Sequence, residues 1–332
     1  MEYKISVCVP IYNVEKYFEQ CLESLFTQTM LDGVEFIFVN DCTPDSSMTI
    51  LQRTLQKYPA LREQVVIYNH EQNRGLAAAR NTALELSHGE YIIHVDSDDW
   101  VEPNYLEELY TTITENDADI AICNCYVQHK DGNKIASYQI FPEDEVFNNI
   151  SYINSAFQYK ITPVLWLKLV KRKLYQDNNI KWVIGINKGE DAITTLKLFY
   201  YASKIVWTPK QLYNYRYQVG FTQSLAQLKL INQDIMACNE IERFFKQTPV
   251  YDVLKKRIDI RKACIRLDYI FASPKFSIKK YRDCFADVPL STIKLNGVPT
   301  NLFRSFFYWL VDCNLHYIAN IYLLIYFFIK GK

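Results

Sequence analysis

The sequence predicts an α/β protein with a Rossmann-like, mostly parallel sheet flanked by helices and a helical C-terminal region. Short apolar runs rich in β-branched and aromatic residues alternate with segments of helical spacing in the first third of the chain. From Leu225 onward the spacing is helical. We therefore divide the chain into a first domain over residues 1–224, with halves of about 1–105 and 106–224, and a helical region over residues 225–332.

The composition limits the classes of function that fit. The chain has 332 residues, 49% hydrophobic and 22% charged, which suffices for one large or two small domains. Lys plus Arg and Asp plus Glu both number 37, so no net charge favours a nucleic-acid partner. The nine cysteines include no Cys-x-x-Cys pair, and we recognise no secretory signal. These features predict reduced thiols and a cytoplasmic protein.

The first four predicted strands all end in polar residues. The strands cover residues 4–13 (broken by Pro10), 34–39, 65–68 and 91–95, and helices follow over residues 17–27, through Leu51 and Leu55, and after Gly75. Ligands of open α/β sheets bind outside the carboxyl ends of the strands, so a nucleotide is expected there. Neither a Gly-x-Gly-x-x-Gly nor a Gly-x-x-x-x-Gly-Lys-Ser/Thr motif is present, which argues against a dinucleotide-binding fold and a P-loop.

The fourth strand runs into Asp96-Ser97-Asp98-Asp99, which places three carboxylates within four residues. Close like charges repel each other unless a cation neutralises them. Mg²⁺ and Mn²⁺ take oxygen ligands, commonly one or two carboxylates together with substrate phosphates. The stretch therefore predicts a metal–diphosphate site. An acidic turn that caps the next helix, with Asp99 at its entry, is the alternative.

The second half of the first domain continues the α/β pattern less regularly. Residues 119–126 are predicted as a strand at or near the sheet edge, Gly132 as a hairpin tip and residues 139–149 as a loop. A helix begins after Gly189, and two short runs, residues 206–207 and 212–216, are predicted to close the sheet as a strand pair. Residues 217–224 would form a loop over the diphosphate.

Five segments carry a family resemblance. They are residues 6–13, 40–47, 73–81 and 96–99, followed by Gly189-Glu190-Asp191. In this order they resemble the motifs of the family 2 glycosyltransferases, inverting enzymes of GT-A fold, in their bacterial surface-polysaccharide type. The resemblance covers roughly residues 4–224. At the second segment the chain departs from the usual Asp-Asp-Gly-Ser, because Asn40 replaces an acid and Cys42 replaces the glycine.

The resemblance implies roles for matched residues. Asp41 would accept from a ring N–H of a uracil-type base, and Asp191, or Glu190 in its place, would be the catalytic base. The nucleotide sugar would be bound by Pro10, Ile11, Tyr12, Asp41, Asn73, Arg74, Gly75, Arg80, Asp96 and Ser97, and Mn²⁺ or Mg²⁺ by Asp98 and Asp96. Trp166 and Lys168, in a segment similar to the family's Trp-x-Lys, would face the acceptor. His94 is predicted to be a satisfied strand histidine, not a ligand.

The implied reaction transfers one sugar, with inversion, from a nucleoside-diphosphate sugar, such as a UDP-sugar, to a hydroxyl of a glycan or lipid-linked acceptor. The sequence lacks the Gln-x-x-Arg-Trp motif of the processive members, which favours addition of a single sugar. Two alternatives stay open: a nucleotidyltransferase that makes sugar nucleotides, and a non-catalytic sugar-nucleotide-binding assembly protein.

The C-terminal region combines cations with apolar residues. Basic residues recur between Lys255 and Arg282, and the apolar stretch over residues 303–329 is interrupted by polar residues. A membrane-spanning helix needs ~20 largely uninterrupted apolar residues, so we predict an interfacial amphipathic end. Peripheral contact with the inner face of the cell membrane would follow. A solvated helix face is the alternative for the basic stretch.

Overall fold

The computed structural model describes residues 3–143, 148–217, 224–271, 284–285 and 287–288, and the side chains of these residues except 224–230 and 267–271. The chain divides into two compact units, Met1–Val219 and Gly220–Lys332. The predicted loop over residues 217–224 falls almost entirely outside the described residues, as do residues 303–329.

The first unit is built on one mixed sheet, which within the described residues has nine strands. The strands are β1 (Ile5–Ile11), β2 (Val34–Asn40), β3 (Val65–Asn69), β4 (Tyr91–His94), β5 (Trp100–Val101), β6 (Ile120–Gln128), β7 (Lys134–Ser137), β8 (Lys168–Lys171) and β9 (Ile205–Arg216). Their order is β3-β2-β1-β4-β8-β6-β9-β5, and β7 pairs with β6.

Helices flank this sheet, and two further helices lie in the described part of the second unit. The first unit contains α1 (Phe18–Phe26), α2 (Ser47–Leu55), α3 (Leu76–Leu86), α4 (Tyr105–Glu115), α5 (Asn149–Phe157), α6 (Arg172–Asp177) and α7 (Glu190–Tyr201), with a 3-10 helix at Pro59–Gln64. The second contains α8 (Ser224–Phe245) and α9 (Tyr251–Phe271). The predicted class, a mostly parallel sheet flanked by helices with a helical C-terminal region, is confirmed.

The parallel half of the sheet explains why its strands are so apolar. β1 lies between β2 and β4, both parallel to it, and all seven of its residues are buried. A parallel sheet covered on both faces requires such continuous apolar strands. Phe18 and Phe26 of α1 pack edge-to-face on Phe38 of β2, which fixes the helix on the sheet. The carboxyl ends of β1, β2 and β4 thereby lie side by side.

The prediction that Pro10 breaks the first strand is wrong. β1 continues through Pro10, which is opposite Val39 of β2, to Ile11. The pairing of β1 with β4 ends at Cys8 and His94. Proline is tolerated in a strand where its missing N–H is not needed by a neighbouring strand.

In the second half, one strand assignment holds and another needs correction. β6 is near the edge of the sheet, with β9 and the two-residue β5 beyond it. The predicted closing pair is one strand, β9, which runs parallel to β6 with a bulge around residues 208–210. Pro209 at this bulge made the strand look interrupted. The hairpin prediction is confirmed: β6 pairs antiparallel with β7, and Gly132 at the turn has φ +87°.

In the second unit, part of the predicted cationic face is internal. Lys262 of α9 is buried, and its Nζ atom lies 2.9 Å from Glu242 and 3.1 Å from Asp287. Arg266 is also buried and donates to the Val288 carbonyl. No helix among the described residues is long and apolar enough to span a membrane. The later cations, Lys275, Lys279, Lys280 and Arg282, are outside the described residues.

Candidate active site

A pocket of about 450 Å³ lies at the carboxyl ends of β1, β2 and β4. Its lining includes most of the predicted nucleotide-sugar residues and both predicted metal ligands: Pro10, Ile11, Tyr12, Asp41, Asn73, Gly75, Asp96, Ser97 and Asp98. Val14, Leu76, Ala79 and Asn187 complete the lining and were not predicted. The first three are apolar and carry no chemical signal in the sequence, and Asn187 comes from a distant segment.

Asp41 organises the loop that leads from β3 into α3. Its Oδ1 atom accepts the Arg74 backbone N–H at 2.9 Å and lies 2.6 Å from the His70 Nδ1 atom. Its Oδ2 atom accepts the Gly75 N–H at 2.8 Å. Gly75 has φ +86°, and a Cβ atom there would lie 2.8 Å from the Asn187 Oδ1 atom, so glycine is required at this position.

The departure from the family's second motif is accommodated locally. Cys42 adopts φ +57°, the left-handed conformation that the usual glycine favours. The Asn40 side chain braces the turn, because its Oδ1 atom accepts the Thr43 N–H and its Nδ2 atom donates to Asn69, both at 2.8 Å. In this chain, Cys42 and the Asn40 side chain thus stabilise the turn that presents Asp41.

Arg80 lies inside the protein and joins three carboxylates. Its side chain is 1% exposed. The Nη1 atom lies 2.9 Å from Glu190 Oε1 and 2.5 Å from Asp191 Oδ1, and the Nη2 atom lies 2.9 Å from Asp96 Oδ1. The guanidinium of Arg80 thus lies among two buried acids and the half-buried Asp96. Its predicted contact with the nucleotide sugar stays a prediction. Arg74 is exposed and contributes its backbone N–H to Asp41.

Glu190 and Asp191 occupy the first turn of α7, which Gly189 enters with φ +80°. Burial, together with the Asp191 charge, raises the pKa of Glu190 to about 7. Burial also raises the pKa of Asp191, against the opposing effect of Arg80. Asp191 Oδ2 accepts the Leu165 N–H at 3.3 Å, and Oδ1 lies 3.5 Å from Trp182 Nε1. The helix dipole adds support for negative charge at this end.

The three acids that follow β4 differ in their surroundings. Asp99 is buried and accepts hydrogen bonds from the Tyr213 hydroxyl at 3.0 Å and the Arg216 N–H at 2.7 Å. Arg216 Nε donates to the Asp98 carbonyl, and its guanidinium lies 4.6 Å from both the Tyr17 and Trp100 rings. Asp99 thus anchors the stretch to β9, while Asp96 and Asp98 line the pocket.

About half of the chain matches the model of a known family. The family model described as Glycosyl transferase family 2 matches residues 6–178. The chain belongs to this family. Glycosyltransferase GlyA of Streptococcus pneumoniae is 34% identical over 225 residues, which cover 65% of this chain and 31% of that protein. The chain thus spans about a third of this relative's length.

Solved structures share the fold of this chain. The structure of S. aureus TarS in complex with UDP superposes with a TM-score of 0.57 at 20% identity, over 88% of this chain and 90% of that one. Mannosyltransferase PcManGT from Pyrobaculum calidifontis, in complex with GDP-Man and Mn²⁺, gives a TM-score of 0.57 at 16% identity, over 98% and 87%. The GT-A fold is confirmed.

In this family 2 protein, Asp96 and Asp98 have the chemistry that suits a hard divalent ion. Burial, followed by the nearby Asp96 charge, raises the pKa of Asp98 to about 6, so a cation would relieve a real electrostatic cost. Among the described residues, no three His, Cys, Asp or Glu side chains could hold a metal together. An ion here would therefore need further ligands from substrate and water, as Mg²⁺ typically does.

His94, predicted as a satisfied strand histidine, is in the strand but is not satisfied. It is buried, and within the described part of the chain neither ring nitrogen has a hydrogen-bond partner. Burial, and then Arg80, lower its pKa well below the usual range, so the imidazole is neutral. Its ring packs edge-on against Trp182, with 4.7 Å between the centroids.

The two predicted acceptor residues of the family 2 site are buried. Trp166 is 7% exposed, and its ring stacks on Tyr213 at 4.3 Å and on Tyr215 at 5.5 Å. Lys168 is 1% exposed, and its Nζ atom donates to backbone carbonyls. Both side chains are thus enclosed within the first unit. Their predicted contact with an acceptor stays a prediction.

Proposed function

We propose that this protein is a metal-dependent, inverting glycosyltransferase that moves one sugar from a nucleoside-diphosphate sugar, in the first instance a UDP-sugar, to an acceptor hydroxyl. One observation carries the proposal: Arg80 joins Asp96 of the pocket to the buried pair Glu190 and Asp191. The Arg80 guanidinium thus connects the pocket assigned to the donor with two carboxylates whose pKa values are raised. Clusters of ionisable groups with perturbed pKa values are common at functional sites.

The donor is assigned to the pocket at the ends of β1, β2 and β4, in the half over residues 1–105. Its position agrees with the rule for ligands of open α/β sheets. UDP in the TarS structure and GDP-Man in PcManGT support a nucleotide-sugar donor. The Asp41 oxygens accept three protein donors, and carboxylate oxygens have about four lone-pair sites in total. One site is therefore left for a uracil ring N–H.

Asp98 and Asp96 would hold Mn²⁺ or Mg²⁺, as the Mn²⁺ in PcManGT supports. The ion, when bound, would stabilise the negative charge on the departing diphosphate as a Lewis acid. Arg80 holds one Asp96 oxygen in place, and Arg216 fixes the backbone beside Asp98. The protein would thereby set the position of both ligands before the donor arrives.

Asp191 would accept the proton from the acceptor hydroxyl. Its Oδ2 atom accepts a hydrogen bond from the Leu165 N–H. A second lone pair on the same oxygen remains to take the proton. Its raised pKa brings its basicity closer to neutral pH, where a general base works best. Attack opposite the leaving diphosphate would invert the anomeric configuration in one displacement. Glu190 is the second candidate for this base.

The acceptor is proposed to be a glycan or a lipid-linked glycan of surface polysaccharide biosynthesis, bound by the half over residues 106–224. This follows the family type indicated by the motifs and the apolar, cationic C-terminal sequence. The same sequence supports a cytoplasmic location at the inner face of the membrane.

The test is incubation with a panel of sugar nucleotides and Mn²⁺, with EDTA as the control. We expect slow release of nucleoside diphosphate from one donor, and loss of that release in EDTA. Release of pyrophosphate from a nucleoside triphosphate and sugar phosphate would identify the nucleotidyltransferase alternative. Donor binding without any turnover, in the presence of candidate acceptors, would identify the non-catalytic alternative.

A further inference from the structure

Lys168 is a buried cation for which the proposed chemistry has no direct use. It follows Trp166 at the start of β8, and its Nζ atom donates to the Thr162 carbonyl at 2.8 Å and the Val164 carbonyl at 2.6 Å. Burying an ammonium group is costly unless it is paired and hydrogen-bonded. The energetic cost of burying this ammonium group suggests that Lys168 has a specific role, and its two carbonyl partners indicate what that role is.

Both carbonyls belong to a short turn over residues 162–165. The turn is closed by the Val164 N–H, which donates to the Thr162 carbonyl at 2.9 Å. The Gln139 Oε1 atom accepts the Thr162 N–H and anchors the other side of the turn. At the end of the turn, the Leu165 N–H donates to Asp191 Oδ2 at 3.3 Å. The Lys168 ammonium group and the Asp191 carboxylate thus contact the same four-residue turn, the first through its carbonyls and the second through the Leu165 N–H.

We propose that Lys168 is a positioning residue for Asp191, acting through the 162–165 turn and through its own positive charge; this rests on the proposed function, in which Asp191 is the base. The turn directs the Leu165 N–H to one Asp191 oxygen, and Arg80 and Trp182 hold the other. Displacing a catalytic group by about 1 Å from its productive position lowers the rate about 100-fold.

The charge of Lys168 acts on Asp191 as well. Burial lowers the pKa of Lys168 to about 7, while Asp191 of α7 and Cys123 and Cys125 of β6 oppose this shift. The Phe199 ring lies 5.8 Å from Nζ and is the aromatic neighbour of the ammonium group. By reciprocity, a charged Lys168 favours the ionised form of Asp191. Removing this charge should therefore make Asp191 harder to ionise.

The experiment compares full-length wild type, Lys168→Met and Lys168→Arg, with Asp191→Asn in parallel. Donor turnover is followed by nucleoside diphosphate release from pH 5 to 9, and UDP binding with Mn²⁺ by calorimetry. For Lys168→Met we expect kcat about 100-fold lower, an unchanged Kd for UDP, and an acidic limb of the kcat profile shifted to higher pH. Lys168→Arg keeps the charge, so its acidic limb should stay in place.

Each outcome is decisive. Unchanged kcat in Lys168→Met, or a lower kcat whose acidic limb does not move, overturns the positioning role, because a merely structural residue would leave the limb in place. If Lys168→Met does not fold, Lys168→Gln replaces it, because its amide NH2 group can still donate to the two carbonyls but carries no charge. Its acidic limb should shift to higher pH in the same way. Full turnover in Asp191→Asn removes the base assignment itself, whereas inactive Asp191→Asn beside a normal Lys168→Met overturns only this inference.

Discussion

The Arg80 Nη1 atom lies 2.9 Å from the Glu190 Oε1 atom, although 110 residues separate the two in the chain. The same guanidinium reaches Asp191 and Asp96. One cation therefore compensates three acids at a place where water is largely excluded. The helix α3 that carries Arg80 is thereby tied both to the donor pocket and to the start of α7.

Replacing Arg80 should destabilise the first unit strongly. Arg80→Met removes the cation and leaves three acids without their partner, which costs about 3–5 kcal/mol for a buried pair. The loss should be greatest at alkaline pH, where all three acids are ionised, and smaller at pH 5. Urea unfolding followed by tryptophan fluorescence at pH 5 and pH 8 measures it.

Arg53→Met is the matched control for this variant. Arg53 pairs with Glu19 at 2.9 Å on the surface, where both side chains are about half exposed. Exposed ion pairs contribute about 0–1 kcal/mol, so this change should be nearly neutral. Equal losses in the two variants would contradict the view that the Arg80 cluster is held by buried charge.

Neutralising Asp98 should remove the dependence on the divalent ion. Asp98→Asn keeps the shape and loses the charge, so turnover should fall at least about 100-fold and UDP binding should no longer improve when Mn²⁺ is added. Calorimetry with and without Mn²⁺ checks the second part. Asp131→Asn, at an exposed acid of the β6–β7 hairpin, is the control and should behave like wild type. A Mn²⁺ response retained in Asp98→Asn would remove the metal assignment.

Glu190 should modulate the rate near neutral pH without being the base. Its raised pKa of about 7 means that the carboxyl ionises as pH rises through that value. The new negative charge beside Asp191 strengthens Asp191 as a base, so wild-type kcat should rise over this range. Glu190→Gln cannot ionise, and its profile should be flat there with most of its activity retained. An activity loss as large as that of Asp191→Asn would instead make Glu190 the base.

The meeting of Asp41, Asp96 and Asp98 at one pocket was predictable from the sequence because its signals are local. Asp41, Asp96 and Asp98 each follow a recognisable apolar strand, and polar residues at strand ends point to a ligand. The five motifs also fixed the family. The role of Arg80 was not predictable, since two of its three partners are about 110 residues away and only folding brings them together. Asn187 was missed for the same reason.

Other errors came from local rules that the tertiary structure overrides. Pro10 was predicted to break β1, but it sits where the sheet does not require its N–H. The runs 206–207 and 212–216 were predicted as two strands, but a bulge near Pro209 joins them in β9. The two-residue strand β5 was too short to give a periodic signal.

The membrane prediction depends mainly on residues 303–329, outside the described residues, and stays a prediction. Each Lys or Arg near an anionic surface contributes about 1 kcal/mol, which salt screens, and apolar burial adds about 25 cal/mol per Å², which salt does not screen. Full-length protein should therefore float with anionic liposomes, less so at high salt, and deletion of residues 301–332 should abolish this while donor hydrolysis persists. A full-length protein that ignores liposomes at low salt would contradict it.

The central claim is that Asp191 acts on the acceptor side, apart from the donor and its metal. The most direct measurement is turnover of Asp191→Asn beside its affinity for UDP with Mn²⁺. We predict that turnover falls about 10²–10⁴-fold, the range for a lost general base, while the Kd for UDP stays within about two-fold of wild type. Turnover near the wild-type rate, or UDP affinity lost together with turnover, would contradict the account.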